Sequence, residues 1–515
     1  MSRKKLGIIF GLFVCILLTL GGCSGGQQQS SAQEKVLKVA IGTDINTWDI
    51  VKFPDGDARF VWAQIYETLV RLDSDLKIIP GLAESWESQE DGKVWIFHLK
   101  KGVKFHDGTD FKADAVKYSY GARGYVTQAK TLQLENVEAL DDYTVKFTCV
   151  NPIPLPTYLT HVAWPIVSPS SVDASGTFKQ AIGTGPFKFV SYSKGQEVVF
   201  AKNEQYWGGV SELDKVVFKI IPDASTRIMA LSSGDVDMSI KIPEADVANL
   251  EKDPQITVNR KQTTFTDFLQ FNCAKAPFND VNVRKAVAYA IDTEGIVKNI
   301  LNNIGVAAQG RPYSPIMMYS SKDLTLYNQD LEKAKASLAE SGWKDLNGDG
   351  ICEKNGEQLK VDLIVGQSWN FREKKIAEAC QAQLGQAGFS VEIKQLETAA
   401  VAALEKEKKF NMLIRTGYFV WGPYPHHVKI HSSKNYASHY NNPVYDQLVL
   451  KGESTTNEEQ KQQIYTDIQK MILSELPAFY LVHEEKIVAT RNNVQGYKIT
   501  AEDPWLELRG VSLNK

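Results

Sequence analysis

Cysteine is scarce, with six in 515 residues, too few for a disulfide-dense scaffold. Cys149, Cys273, Cys352 and Cys380 show no C-x-x-C spacing, so neither a metal ribbon nor a redox motif is encoded. They read as small apolar core residues, with one disulfide left open as the alternative. A basic excess is missing too. Lys plus Arg number 58 against 61 Asp plus Glu, a net charge of -3, which gives a nucleic-acid backbone nothing to hold. Only one long apolar run exists, which excludes a polytopic membrane protein. Catalytic signatures are equally absent. There is no Gly-x-Ser-x-Gly elbow and no His-Glu-x-x-His helix, and His483-Glu484-Glu485 lacks a second histidine four residues after the first. Gly183-Thr184-Gly185 has no lysine and helix behind it and so is no phosphate cradle. What is present is 43% apolar residues in a chain long enough for two or three lobes.

The apolar run lies at the start. Arg3, Lys4 and Lys5 precede Leu6 to Leu20, a stretch of about 15 residues, short for a membrane span but suited to a signal-peptide core. It ends in Leu20-Gly21-Gly22-Cys23, which resembles a bacterial lipobox. Residues 1–22 therefore read as a lipoprotein signal peptide. Residues 23–35 read as the lipidated Cys23 and a Ser, Gly and Gln-rich tether. The location expected is the outer face of the cell membrane, held by lipid alone.

Past the tether, short strands and amphipathic helices interleave without a fixed repeat. Val36 to Ile41, Lys93 to Leu99, Thr144 to Phe147, Val198 to Ala201 and Val216 to Ile221 read as strands. Asp91-Gly92 marks a hairpin turn. Helices are expected at Asn282 to Ile291, Leu331 to Ser341 before Gly342, Phe371 to Gln386, and Glu458 to Leu476 before Pro477. A further helix is read over Gln64 to Leu69. The fold class is α/β (α+β), β-richer in the N-terminal half.

Several motifs then occur in a fixed order. Ile79-Pro80-Gly81-Leu82-Ala83-Glu84-Ser85-Trp86 comes first, followed by Phe97-His98-Leu99-Lys100-Lys101-Gly102-Val103-Lys104-Phe105-His106-Asp107-Gly108. Gly183-Thr184-Gly185-Pro186-Phe187, Asn203 to Gly209, Gly234-Asp235-Val236-Asp237, and Pro277-Phe278-Asn279-Asp280 with Val283-Arg284-Lys285-Ala286 follow. The set resembles the extracytoplasmic solute-binding proteins of the peptide/nickel ABC-importer family, over nearly all of the chain past the tether. The resemblance implies a two-lobed periplasmic-binding-protein-like fold with a hinge, and an extra β-rich subdomain in the N-terminal lobe. Mapped onto this chain, lobe I is 36–270 plus 481–515, with the subdomain near 60–180, and lobe II is 271–480. The implied partners are an ABC permease and ATPase, with the binding protein itself a monomer.

The ligand is where the chain departs from its relatives. Peptide-binding members carry an aspartate shortly after a tryptophan, to meet the peptide's amino group. Here Gly422, Pro423 and Tyr424 follow Trp421, with no carboxylate before Asp446. Trp421-Gly422, Pro423-Tyr424 and Pro425-His426 are similar to the pattern of nickel-binding members, in which a later histidine contacts a nickel chelate; His439 is the candidate ligand. Neutral imidazole suits nickel, copper and zinc. The nickel members' arginine in the segment corresponding to His161 to Ser168 is absent.

The candidate ligand-binding residues are Arg59, Phe60, Tyr418, Trp421, Tyr424, His426, His427, His439 and Tyr440. Flat rings pack on many ligands, and an arginine can fork a carboxylate. The bland alternatives are core packing for the rings and surface-loop positions for the histidines, His431 included. Asp345-Leu346-Asn347-Gly348-Asp349-Gly350 imitates the start of a calcium loop. Its twelfth position is Gly356 rather than a bidentate glutamate, so it reads as an Asx-turn hairpin. The function expected is a lipid-anchored substrate-binding component of an importer, capturing a small peptide or peptide-like solute. No resident cofactor is expected. The alternative is a receptor for a nickel or other metal chelate, carried as the transported ligand. A surface sensor or chaperone sharing this fold, and an enzyme, are the remote alternatives.

Overall fold

The computed structural model describes residues 34–49, 56–122, 132, 134–162, 164–366, 372–417, 431, 438–455, 457–501 and 506–514. The signal peptide, Cys23, the tether up to residue 33, Tyr418, Trp421, Tyr424, His426 and His427 lie outside the described residues. Lys35–Lys515 is one unit, distinct from Met1–Glu34. Among the described residues no helix is long and apolar enough to cross a membrane.

Two long strands, Ile256–Phe271 and Ala478–Arg491, run antiparallel through the middle of an 11-stranded mixed sheet. On one side Met238–Ile240 joins the second long strand. Val36–Ile41, Lys215–Ile220, Glu197–Lys202 and Phe187–Ser193 then follow in order. On the other side Met412–Gly417 joins the first long strand, followed by Lys360–Gly366 and Ser390–Leu396. The protein is thus two-lobed, each half-sheet serving one lobe and the strand pair crossing between them. The pair loses register between Gln262 and Thr266 and again between Asp267 and Phe268, which breaks the ladder where the lobes meet.

The N-terminal lobe is packed around Leu37, Val39, Phe187, Phe200, Val216 and Phe218 from its half-sheet. The same core takes in the extra subdomain, a four-stranded antiparallel sheet ordered Ala83–Gln89, Val94–Leu99, Thr144–Cys149, Leu134–Asp141. Separate clusters fill the C-terminal lobe around Leu269, Val287 and Leu363, and around Tyr445, Tyr465 and Tyr480.

The expected helices form where their caps allow. Val281–Ala290 starts on Asp280, whose carboxylate accepts from Asn282 N at 2.9 Å, and Leu331–Glu340 starts on Asp330 in the same way at 3.0 Å. Arg372–Ala387 ends against Gly388, whose φ of 107° suits glycine, and Glu458–Glu475 ends at Leu476 before Pro477. The helix read over Gln64 to Leu69 is not there. The helix lies earlier, at Ala58–Trp62. Beyond it the Leu69 carbonyl accepts from Ala83 N at 2.8 Å and Glu67 bridges to Ile166, so tertiary strand pairing takes the backbone groups a helix would use. All four described cysteines are free; Cys149, Cys352 and Cys380 are buried and Cys273 partly so.

Candidate ligand-binding site at the strand ends and the hinge

Val36–Ile41, Lys215–Ile220 and Met238–Ile240 run parallel, so their carboxyl ends open on the same edge of the N-terminal lobe, where α/β sheets bind ligands. Gly42 and Thr43 continue the first strand and Lys241 the last. Asp57 ties them together. It is fully buried, its Oδ2 accepts from Gly42 N at 2.6 Å and Thr43 N at 3.0 Å, and its Oδ1 pairs with the Lys241 ammonium. Lys241 adopts the left-handed region at φ 55°, which turns the chain sharply after the strand. Its Nζ and that of Lys486 each lie 5.6 Å from the Phe60 ring centroid, close enough for cation–π attraction. Phe60 is buried in the lobe core, and neighbouring Arg59 is half-buried with Nε 3.5 Å from Gly56 O. The buried Asp57 carboxylate is therefore paired with Lys241, and two ammonium groups flank the Phe60 ring.

At the hinge stands a second charged group, which sequence reasoning missed. Arg372, at the start of its helix, donates from Nε to Asp267 Oδ2 at 2.9 Å. Its Nη2 is 3.3 Å from Glu484 and its Nη1 3.5 Å from Glu244. Thr416 donates to Asp267 Oδ1 at 2.7 Å and lies 3.1 Å from Glu373. Asp267 sits on one long strand, Glu484 on the other, Glu244 on the N-terminal side and Arg372 on the C-terminal side. Burial opposes the charge on Arg372, but Asp267, Glu484 and Glu244 more than offset it and hold the guanidinium firmly protonated. Burial pushes the Glu484 carboxyl well above the ordinary range, with Arg372 pulling the other way. The only sequence signal was Asp267 amid Phe265, Phe268, Leu269 and Phe271, because a charge buried in a strand requires a partner.

Beside it, His483 is fully buried, its Nδ1 2.9 Å from Thr266 Oγ1, and burial lowers its pKa to about 3. Gly417, the last described residue before Tyr418, pairs with Thr266 at this same break in register.

The remaining sequence candidates are placed in the C-terminal lobe. His439 has its Nε2 3.0 Å from the Glu405 carbonyl and its ring 6.0 Å from Phe410. Burial lowers its pKa, the Glu405 carbonyl acting against this, so the neutral ring is favoured. Tyr440 packs with the tyrosine cluster, its hydroxyl donating to Glu475 and accepting from Asn442 Nδ2 at 2.9 Å. His431 is buried, with Nε2 2.8 Å from the Tyr480 hydroxyl, so it is an interior residue and not a surface loop histidine. Arg59 and Phe60 share no hydrogen bond or ring contact with His439 or Tyr440.

Residues 77–437 match the family described as "Bacterial extracellular solute-binding proteins, family 5 Middle". The nickel-binding periplasmic protein of Escherichia coli (strain K12) is 30% identical over 482 residues, covering 88% of this chain and 90% of that one. Among solved structures, the oligopeptide-binding protein AppA from Bacillus subtilis, in complex with a nonapeptide, superposes with a TM-score of 0.79 at 27% identity. That match covers 94% of this chain and 100% of AppA. NikA from Brucella suis, in complex with Fe(III)-EDTA, shares the fold with a TM-score of 0.86 at 23% identity, over 93% and 100% of the two chains. This chain belongs to the family 5 extracellular solute-binding proteins, as an extracytoplasmic substrate-binding component of a peptide/nickel ABC importer, and is a binding protein rather than an enzyme.

Proposed function

We propose that the protein captures a small peptide or peptide-like solute between its two lobes, stands on the membrane by a lipid on Cys23, and hands the solute to its permease as a monomer. The lobes we assign, 36–270 plus 481–515 and 271–480, divide near the break in register of the two long strands. The observation that carries the ligand reading is the placing of the Lys241 and Lys486 ammonium groups against the Phe60 ring, with Arg59 next to it in the chain. A ligand carboxylate entering a low-dielectric cleft needs fixed cations, and a ring beside them offers packing area at little entropic cost. Closing the hinge completes contacts from the second lobe, where Tyr418, Trp421, Tyr424, His426 and His427 are the proposed partners; His439 and Tyr440 complete the candidate set.

One observation favours the second reading, a metal chelate. The Nε2 of His439 meets the Glu405 carbonyl, as the outer nitrogen of a ligating histidine commonly meets a backbone carbonyl. Nδ1 is then the nitrogen that would face a metal.

Thermal unfolding of the body from Glu34 separates the two. Di- to pentapeptides at a hundredfold excess over their dissociation constant should stabilise it by roughly 2.7 kcal/mol, and Ni²⁺ with free histidine should not. The reverse pattern overturns the peptide reading. In that case His439→Ala should weaken chelate binding at least about tenfold. Lipidation is checked separately: incorporation of labelled palmitate in the cell should disappear in Cys23→Ser, and continued labelling refutes the anchor.

A further inference from the structure

The loop between the Leu331–Glu340 helix and the Lys360–Gly366 strand carries three carboxylates, on Asp345, Asp349 and Glu353. One oxygen from each lies within 4.8 Å of the others. Asp345 and Asp349 are exposed, but Glu353 is only 8% exposed. Its Oε2 accepts from Leu346 N at 2.9 Å, while its Oε1, buried, has no hydrogen-bond partner. None of the three forms an ion pair with any lysine or arginine among the described residues. A buried carboxylate that leaves one oxygen without a donor and lies beside two more carboxylates, unpaired by any described lysine or arginine, is costly unless a cation comes from outside.

We propose that residues 345–353 bind Ca²⁺. Numbered from Asp345, the loop has oxygen side chains at its first, third and fifth positions (Asp345, Asn347, Asp349). Gly350 stands at the sixth with φ 85°, and Ile351 at the seventh offers its carbonyl. The Asx-turn reading fits the hydrogen bonds. Asp345 accepts from Gly348 N at 2.7 Å and Gly350 N at 3.0 Å, Asn347 from Asp349 N at 2.8 Å, and Asp349 from Ile351 N at 2.8 Å. Each oxygen so used keeps a second lone pair, while Asp349 Oδ2 accepts from Asn347 Nδ2 and Gln358 Nε2, both at 3.1 Å.

The twelfth position, Gly356, cannot supply the usual glutamate. Glu353 at the ninth does so instead, held in place by its strand bridge to Lys344 through bonds of 2.7 and 3.1 Å. That substitution is legible only in three dimensions. With one carboxylate fewer than a full helix–loop–helix site, the affinity belongs with extracellular modules, at about 10⁻⁴–10⁻³ M. The ion staples the loop where Cys352 N bonds the Gly388 carbonyl at 2.9 Å, joining the region after one helix to the end of another.

The test uses terbium as a calcium stand-in, excited through Trp343, two residues ahead of the loop. The tether-free protein, without peptide or nickel, should give sensitised terbium emission that Ca²⁺ displaces with a midpoint of about 10⁻⁴–10⁻³ M. Asp349→Asn and Glu353→Gln should each weaken Ca²⁺ binding at least about tenfold, with unchanged circular dichroism. Asp349, being exposed, keeps the test open if Glu353→Gln fails to fold. Emission equal in wild type and Asp349→Asn, displacement by Mg²⁺ as effective as by Ca²⁺, or no calorimetric heat with 10 mM CaCl₂ would each overturn the proposal. None of these readouts involves the transported solute.

Discussion

Arg372→Ala should destabilise the protein by about 3–5 kcal/mol, seen as a lower urea midpoint. Arg372 is 4% exposed and Asp267 is fully buried, with Glu484 and Glu244 sharing the same cation. Removing the guanidinium leaves Asp267 in a site already crowded with carboxylates and no cation to answer them. Thr416 relieves only part of this, since a hydroxyl carries no charge. Arg372→Lys should recover part of the loss, because an ammonium reaches fewer oxygens than a planar fork. A loss below about 1 kcal/mol in Arg372→Ala would show that the cluster is solvated rather than sealed. Because Glu244 and Arg372 come from opposite sides of the hinge, the variant should also change solute affinity by altering how the lobes rest.

Glu453→Gln should stabilise the protein at pH 8 by about 2–4 kcal/mol while leaving it unchanged at pH 4.5. Glu453 is 8% exposed; burial pushes its carboxyl up to about 8, with Lys461 and the Tyr158 hydroxyl acting in the other direction. The folded value lies above the unfolded value of 4.5, so the folded chain retains a proton that the unfolded chain releases. The group's favourable contribution is therefore complete below pH 4.5. It erodes as pH rises and is gone above about 8. Glutamine keeps the acceptor for Tyr158 without the charge. Half-buried His106 and fully buried His483, with pKa values lowered by desolvation to about 4 and about 3, act oppositely. Their stability is present above pH 6.5 and lost as pH falls towards those values. The difference between wild type and variant melting temperatures at pH 5 and pH 8 isolates Glu453. Parallel shifts at both would remove the carboxyl from the account.

Elements built from local periodicity were legible before folding. Val36–Ile41, Val281–Ala290 and Leu331–Glu340 fall within about one residue of their reading, because alternation and capping are properties of neighbouring residues. Gln64 to Leu69 misled for the converse reason, since its backbone groups are claimed by Ala83 and Ile166. The two long strands escaped notice because their outer parts mix polar and apolar residues without a clean alternation. Their identity as a pair depends on register between residues more than 200 positions apart.

The site divides along the same line. Arg59 and Phe60 were readable as candidates; Lys241 and Lys486, which flank Phe60, and Asp57, which pairs with Lys241, were not. Asp57 and Lys241 lie 184 positions apart in the chain and meet only at the ends of parallel strands. His431 looked like a loop residue and is instead sealed against Tyr480, a burial that no local pattern encodes.

By itself, then, the sequence determined the family, the absence of catalytic and nucleic-acid signatures, and most helices and short strands, since each is carried by residues close together in the chain. The tertiary structure alone decided which charges are buried and who answers them. Arg372 meets Asp267 across 105 positions, and Glu353 turns inward to complete a loop that lacks its customary glutamate. A charge in a low-dielectric interior requires a partner, and the partner's place is set by the packing of distant strands rather than by spacing along the chain.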